Sequence, residues 1–123
     1  MKGYRVWLAA ALLTIAFPVD AGESITIAVS PRQSIGPTNL TVRLRVEPNA
    51  DNKFLEVAAD SGEFYRSSQI QLDGVRAAKT VFVEFRDVPS GNYQVSGALF
   101  NGVGHRRGLA QQQAFVLSRG GER

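Results

Sequence analysis

The chain has 123 residues, the length of one domain, and a formal net charge of +3 at pH 7. Beyond residue 21 it carries twelve basic and ten acidic side chains, a balance that excludes the strongly basic face of a nucleic-acid-binding protein. The chain contains no cysteine, so disulfides and thiol nucleophiles are excluded and the fold must depend on its apolar core.

The first 21 residues have the pattern of a cleavable secretion signal. Two basic residues precede an apolar stretch over residues 6–17, and the small residue Ala21 provides a cleavage point. We therefore predict a signal peptide over residues 1–21 and one mature domain over residues 22–123, located in the periplasm or outside the cell. An uncleaved membrane anchor is the alternative, but a span needs about 20 apolar residues, and the apolar stretch over residues 6–17 has twelve. We expect no stable membrane span after cleavage.

Apolar and polar residues alternate along the rest of the chain, and turn-forming residues interrupt them about every 8–12 positions, which predicts short strands. The clearest is the second, in which Leu40, Val42 and Leu44 share one face. In the last, Phe115 and Leu117 share a face. The predicted strands cover residues 25–29, 40–46, 54–59, 64–72, 80–86, 93–99 and 109–117. The fourth is polar, and we expect it to be exposed or to lie at a sheet edge.

About seven short alternating strands in roughly 100 residues are typical of an antiparallel two-sheet sandwich, with the apolar faces turned toward each other. No apolar stretch beyond the signal keeps a helical period for ten residues. We therefore predict an all-β, immunoglobulin-like β-sandwich after the signal peptide. A small closed barrel is the alternative all-β arrangement.

The sequence FRDVPSGNYQV, which begins at Phe85, resembles a signature of bacterial immunoglobulin-like sandwiches. These include carboxypeptidase-regulatory, transthyretin-like and collagen-adhesin B-repeat domains, and fibronectin type III modules are similar. We expect Phe85 and Val88 to fill the core, Pro89 and Gly91 to turn the chain, and Tyr93 to return to a core strand. The resemblance implies that the Tyr93 hydroxyl binds nearby backbone, as in a tyrosine corner. It also implies a spacer, adhesion module or accessory domain.

Residues that could carry out catalysis are scarce. His105 is the one histidine, so a site with several histidine ligands is excluded, and no G-x-S-x-G motif provides a serine nucleophile. The carboxylates are scattered and several lie in turns, where capping of the backbone explains them. We therefore predict no catalytic residue, no bound metal and no cofactor, and we expect that the protein is not an enzyme.

Two segments are candidates for binding a partner. Their residues are Phe64, Tyr65, Arg66, His105, Arg106 and Arg107. The first three lie in the polar strand, where at least one aromatic ring should face outward to contact a partner or a sugar; an isolated surface aromatic is the alternative. The last three place positive charge on a glycine-flanked loop over residues 102–108, which we expect to be mobile. Charges that only keep the loop soluble are the alternative.

These observations favour a non-catalytic interaction or accessory module of the bacterial envelope, with a protein partner and no nucleic acid. Pairing through the edge of residues 64–72 is one mode of binding. A second function is the binding of anionic glycans or lipid head groups, which requires Arg43 and Arg45 to share a surface with the loop arginines. A third is a small envelope enzyme or an enzyme inhibitor, which requires a pocket with convergent titratable groups.

Overall fold

The structure, a computed structural model, describes residues 24–119, so the predicted signal peptide lies outside the described residues. Strands β1 to β8 cover Ile25–Ser30, Gln33–Ile35, Thr38–Val46, Phe54–Asp60, Tyr65–Gln71, Thr80–Val88, Gly91–Phe100 and Arg106–Leu117. One 3-10 turn, Gly74–Arg76, precedes β6. Between residues 24 and 119 there is no helix of the length and apolarity that crossing a bilayer requires.

The strands form two separate sheets, which confirms the predicted sandwich. The smaller sheet has the order β1-β3-β6, and the larger has the order β2-β8-β7-β4-β5. Neighbouring strands are antiparallel, except that β2 pairs with β8 in parallel. As a result β1 lies near β8 along one side of the sandwich. Along the opposite side, the edge strands are β6 in the smaller sheet and β5 in the larger sheet.

The core lies between the two sheets and follows the alternation of the sequence. On β3, Leu40, Val42 and Leu44 are fully buried, whereas Arg43 and Arg45 face solvent. The buried apolar residues of the remaining strands are Ile25, Val29, Leu55, Val57, Ala59, Val83, Phe85, Val88, Tyr93, Val95, Leu99, Ala114 and Val116. On β3 the buried face is therefore the one that the period-two pattern predicts.

Two features differ from the sequence prediction. An eighth strand, β2, has three residues and lies between Pro31 and Pro37, so its pattern is too short to be recognised in the sequence. On β8, Phe115 and Leu117 do share a face, but that face is the outer one, and their side chains are 39% and 46% exposed. The core positions of this strand are Ala114 and Val116, whose smaller side chains gave a weaker signal.

The expected tyrosine corner is present. Tyr93 is 1% exposed, and its hydroxyl donates a hydrogen bond to the carbonyl oxygen of Pro89 at 2.8 Å. Burial raises the pKa of Tyr93 above its ordinary value, while a hydrogen bond with Ser61 and the positive charge of Arg66 lower the same pKa in part. The motif thus ties the turn before β7 to the core.

Candidate functional site

The two groups of candidate residues lie at opposite ends of the sandwich. Strand β4 connects the ends: its last residue, Asp60, pairs with Tyr65, and its first, Phe54, pairs with Phe100, next to the glycine-rich loop. Six steps of about 3.3 Å separate the ends of this strand, or roughly 20 Å. The candidates therefore form two surfaces rather than one.

The glycine-rich loop is organised by a residue that the sequence analysis did not single out, Asn101. Its side-chain oxygen accepts hydrogen bonds from the backbone N–H groups of Val103 at 3.0 Å and His105 at 2.9 Å. Its own N–H donates to the carbonyl of His105, and Gly104 takes a φ of 87°. The tip of the loop is therefore a turn built around one asparagine, a role typical of Asn.

The two loop arginines have different surroundings. Arg106 is exposed and pairs across the hairpin with Phe100. Arg107 is half-buried and donates a hydrogen bond at 2.6 Å to the side-chain oxygen of Asn52, which is 1% exposed. The Asn52 amide nitrogen donates in turn to the carbonyl of Glu47 at 2.9 Å. Arg107 therefore supplies the partner of a buried polar group and contributes to the fold.

The other exposed arginines lie on the opposite sheet. Arg43 and Arg45 point outward from the three-stranded sheet, whereas Arg106 belongs to the five-stranded one. The continuous positive surface that an anionic ligand would require is therefore not formed by these residues. Arg43 lies instead beside Phe82, which is 65% exposed on the outer face of β6.

In the first candidate group, one residue of three is available to a partner on the outer face. The ring of Phe64 is half-buried and meets Tyr93 edge to face, with centroids 6.2 Å apart. The Arg66 guanidinium lies 4.9 Å from the Phe64 ring centroid and donates to the carbonyl of Arg86 on β6 at 2.8 Å. It thus links the two sheets across their open side. Tyr65 is 59% exposed on the outer face of β5.

Strand β5 is an edge strand, as predicted, and pairs with β4 alone. Its register with β4 is regular over all seven residues. Its sequence, YRSSQIQ, contains no proline, lysine or acidic residue, and its one charged residue, Arg66, is bonded to the carbonyl of Arg86 on β6. A long and regular edge with few protective residues presents free backbone donors and acceptors to a further strand.

The other outer strands are protected or short. Strand β2 has three residues. On β1, the N–H of Val29 donates to the side-chain oxygen of Gln112 at 2.8 Å, so part of that edge is already bonded. On β6, Glu84 and Arg86 form an ion pair at 3.3 Å, and Asp87 has a φ of 54°, which interrupts the strand conformation. Within residues 24–119, β5 is therefore the edge best suited to pairing.

The sequence matches no protein-family model and no curated protein. The structure is similar to a family 76 glycoside hydrolase from a bovine Bacteroides thetaiotaomicron strain, with a TM-score of 0.53 and 15% identity over 74% of this chain and 20% of that chain. It is also similar to the PKD domain of an M14-like peptidase from Thermoplasmatales archaeon SCGC AB-540-F20, with a TM-score of 0.52 and 14% identity over 76% of this chain and 92% of that domain. At these identities the similarity shows an immunoglobulin-like fold and nothing finer.

Proposed function

We propose that the chain is an exported, non-catalytic accessory module of the cell envelope that binds a protein partner by adding a strand to β5. The observation that carries this proposal is the regular seven-residue edge of β5, with Arg66 as its one charged residue, beside shorter or better protected edges elsewhere in the described domain. Backbone hydrogen bonds along such an edge supply affinity, and the side chains of alternate residues supply specificity.

The side chains that would select the partner strand are those on the outer face of β5. Tyr65, Ser67 and Gln69 point to this face, because their partners on β4 are the outward residues Asp60, Ala58 and Glu56. The exposed Tyr65 ring offers a rigid contact at one end of the strand, and aromatic anchors of this kind dominate many interfaces. The hydrogen bond from Arg66 to the carbonyl of Arg86 connects β5 to β6 and so fixes the inner side of the edge strand.

Two single proline substitutions, Ser67→Pro and Ser68→Pro, test the proposal. In an antiparallel strand adjacent residues direct their backbone N–H and C=O groups to opposite sides, so one serine faces β4 and the other faces the open edge. Proline removes the N–H in both cases. Proline at the serine that faces β4 removes a hydrogen bond of the sheet and should lower the unfolding midpoint, whereas proline at the other serine removes only a donor at the open edge. We expect the variant with the parent's midpoint to lose partner binding.

The measurement is the recovery of envelope proteins that co-purify with the parent and with the stable proline variant. Thr26→Ala, on the outer face of β1 far from β5, serves as the control and should keep the partner. The proposal is wrong if the stable proline variant recovers the same proteins in the same amounts as the parent.

The exported location is tested separately by sequencing the N-terminus of the protein from the producing cells. Cleavage after Ala21 would leave Gly22 as the first residue. A chain that keeps Met1 in a membrane fraction would contradict export by cleavage, and it would leave the β5 experiment unaffected.

A further inference from the structure

The outer face of the five-stranded sheet carries an array of side-chain amides. Across β7 and β8, Gln94 pairs with Gln113 and Ser96 pairs with Gln111. On β5, Gln69 lies on the same face, opposite Glu56. We call Gln69, Gln94, Gln111 and Gln113 the amide array. The array lies next to a row of small side chains, which we call the low strip: Ser67, Ala58 and Ser96.

The low strip crosses the sheet at right angles to the strands. Register places Ser96, Ala58 and Ser67 side by side on β7, β4 and β5, next to Gln111 on β8. The row spans three inter-strand spacings of about 4.8 Å, or roughly 14 Å. The exposed ring of Tyr65 lies beside one end of this row, so the small side chains have polar neighbours along the row and an aromatic group at its end.

The four glutamines of the amide array are exposed to solvent. The side-chain hydrogen bonds formed within residues 24–119 include none from Gln69, Gln94, Gln111 or Gln113. Each glutamine offers two donors and an acceptor. A sugar hydroxyl is also both donor and acceptor, so a polyhydroxylated chain can pair with several amides at once, while its apolar ring faces can lie against Tyr65.

The charge of the face argues against other ligands. Asp60 and Glu56 flank the strip, and no lysine or arginine lies in its row, so an anionic ligand would be repelled. The centre has small residues in place of the tryptophan, tyrosine and arginine that dominate protein interfaces, so a protein partner would find no anchor there. The row itself is uncharged and polar, which fits a ligand rich in hydroxyl groups and without negative charge.

We propose that the amide array binds a neutral oligosaccharide lying across strands β8, β7, β4 and β5. This site shares the side chains of Tyr65, Ser67 and Gln69 with the proposed strand-pairing surface but does not use the backbone edge of β5. Gln94 and Gln113, which the test below changes, lie on β7 and β8, so the two proposals can fail independently. The array requires an oligosaccharide that is rich in hydroxyl groups, carries no charge and is long enough to cross four strands.

The probes are soluble hexamers of β-1,4-linked glucose, α-1,4-linked glucose and β-1,4-linked N-acetylglucosamine, with hexagalacturonate as the anionic comparison. Binding to the purified protein is followed by calorimetry and by the NMR signals of the glutamine side-chain amides. We expect at least one neutral hexamer to shift the signals of Gln94 and Gln113 in a saturable manner. Because uncharged groups make the contacts, the affinity should change little with salt.

The variant is Gln94→Ala with Gln113→Ala, and the matched control is Gln33→Ala, on β2 of the same sheet and outside the array. Losing two hydrogen-bonding amides should weaken binding by about tenfold or more. Both proteins should unfold at the parent's midpoint, because the substituted side chains are exposed.

Three results would overturn the proposal. The first is that no neutral hexamer shifts the array signals at millimolar concentration. The second is that the double variant binds a neutral hexamer as tightly as the parent and the Gln33→Ala control do. The third is that hexagalacturonate binds more tightly than every neutral hexamer, or that self-association of the protein alone shifts the array signals, since the face would then serve an anion or a second copy.

Discussion

Leu44 and Gly97 face each other across the interior of the sandwich, and the Leu44 side chain occupies the space that a β-carbon on Gly97 would need. Leu44 belongs to the three-stranded sheet and Gly97 to the five-stranded sheet, and both are buried. The glycine on β7 is therefore required for packing. The two sheets reach their spacing at this point because one of them has no side chain there.

We expect Gly97→Ala to lower the free energy of unfolding by about 1–3 kcal/mol, the usual cost of an added methyl group in a filled core. Chemical denaturation measures the change. Gly102→Ala is a matched control, because a β-carbon there would meet Lys53 at an ordinary contact distance of 3.4 Å. If trimming Leu44 to valine does not recover part of the loss in the double variant, the contact with Leu44 is not the cause.

Tyr93 combines an apolar ring with a hydroxyl that is bonded to Pro89. Tyr93→Ala should lower the free energy of unfolding by roughly 3–5 kcal/mol, because it empties the volume of a large buried ring. Tyr93→Phe should cost about 1–3 kcal/mol, because the Pro89 carbonyl loses its donor while the ring stays. Denaturant titration that shows less than about 1 kcal/mol for the alanine variant would contradict the burial of this residue.

The same residue predicts a loss of stability at high pH. Burial raises the pKa of the Tyr93 hydroxyl, so the folded chain keeps this proton at a pH where the unfolded chain has released it. The associated stability is complete below the unfolded pKa of about 10 and is lost as the pH rises through the folded pKa. Unfolding measured at increasing pH should show this decline. Tyr93→Phe should reduce its slope, and an unchanged slope would assign the decline to other groups.

The two loop arginines should respond differently to substitution. Arg107→Ala removes the donor to the buried oxygen of Asn52, and we expect a loss of about 1–3 kcal/mol in the free energy of unfolding. Arg106→Ala changes an exposed side chain and should stay within about 0.5 kcal/mol of the parent. Thermal and chemical unfolding of both single variants provide the comparison. Equal losses would mean that the contact with Asn52 contributes nothing measurable.

Much of the fold could be predicted because its local patterns agree with its packing. The alternation on β3 and the turn before Tyr93 each indicate the same buried face that the sandwich uses. The prediction was less complete where neighbours in space decide the outcome. The outward position of Phe115 follows from its pairing with Asn92 and Gln33, two contacts that no local pattern contains.

The candidate residues show the same limit more clearly. The segment around Tyr65 could be identified as an edge because its own composition is polar. The role of Arg107 depends on Asn52, which lies 55 positions earlier in the chain. The amide array joins residues from three strands, and it exists only once the register between those strands is known.

The parallel pairing of β2 with β8 has a consequence for the order in which the chain is made. Gln33 pairs with Phe115, so β2 leaves the ribosome long before its partner has been synthesised. Closing this contact joins distant segments, which is an entropically costly and slow step. A chain that stalls before β8 leaves β2 and the outer side of β7 without partners. Such a fragment exposes bare strand edges and is therefore prone to aggregation, so the addition of β8 protects these two edges in the newly made domain.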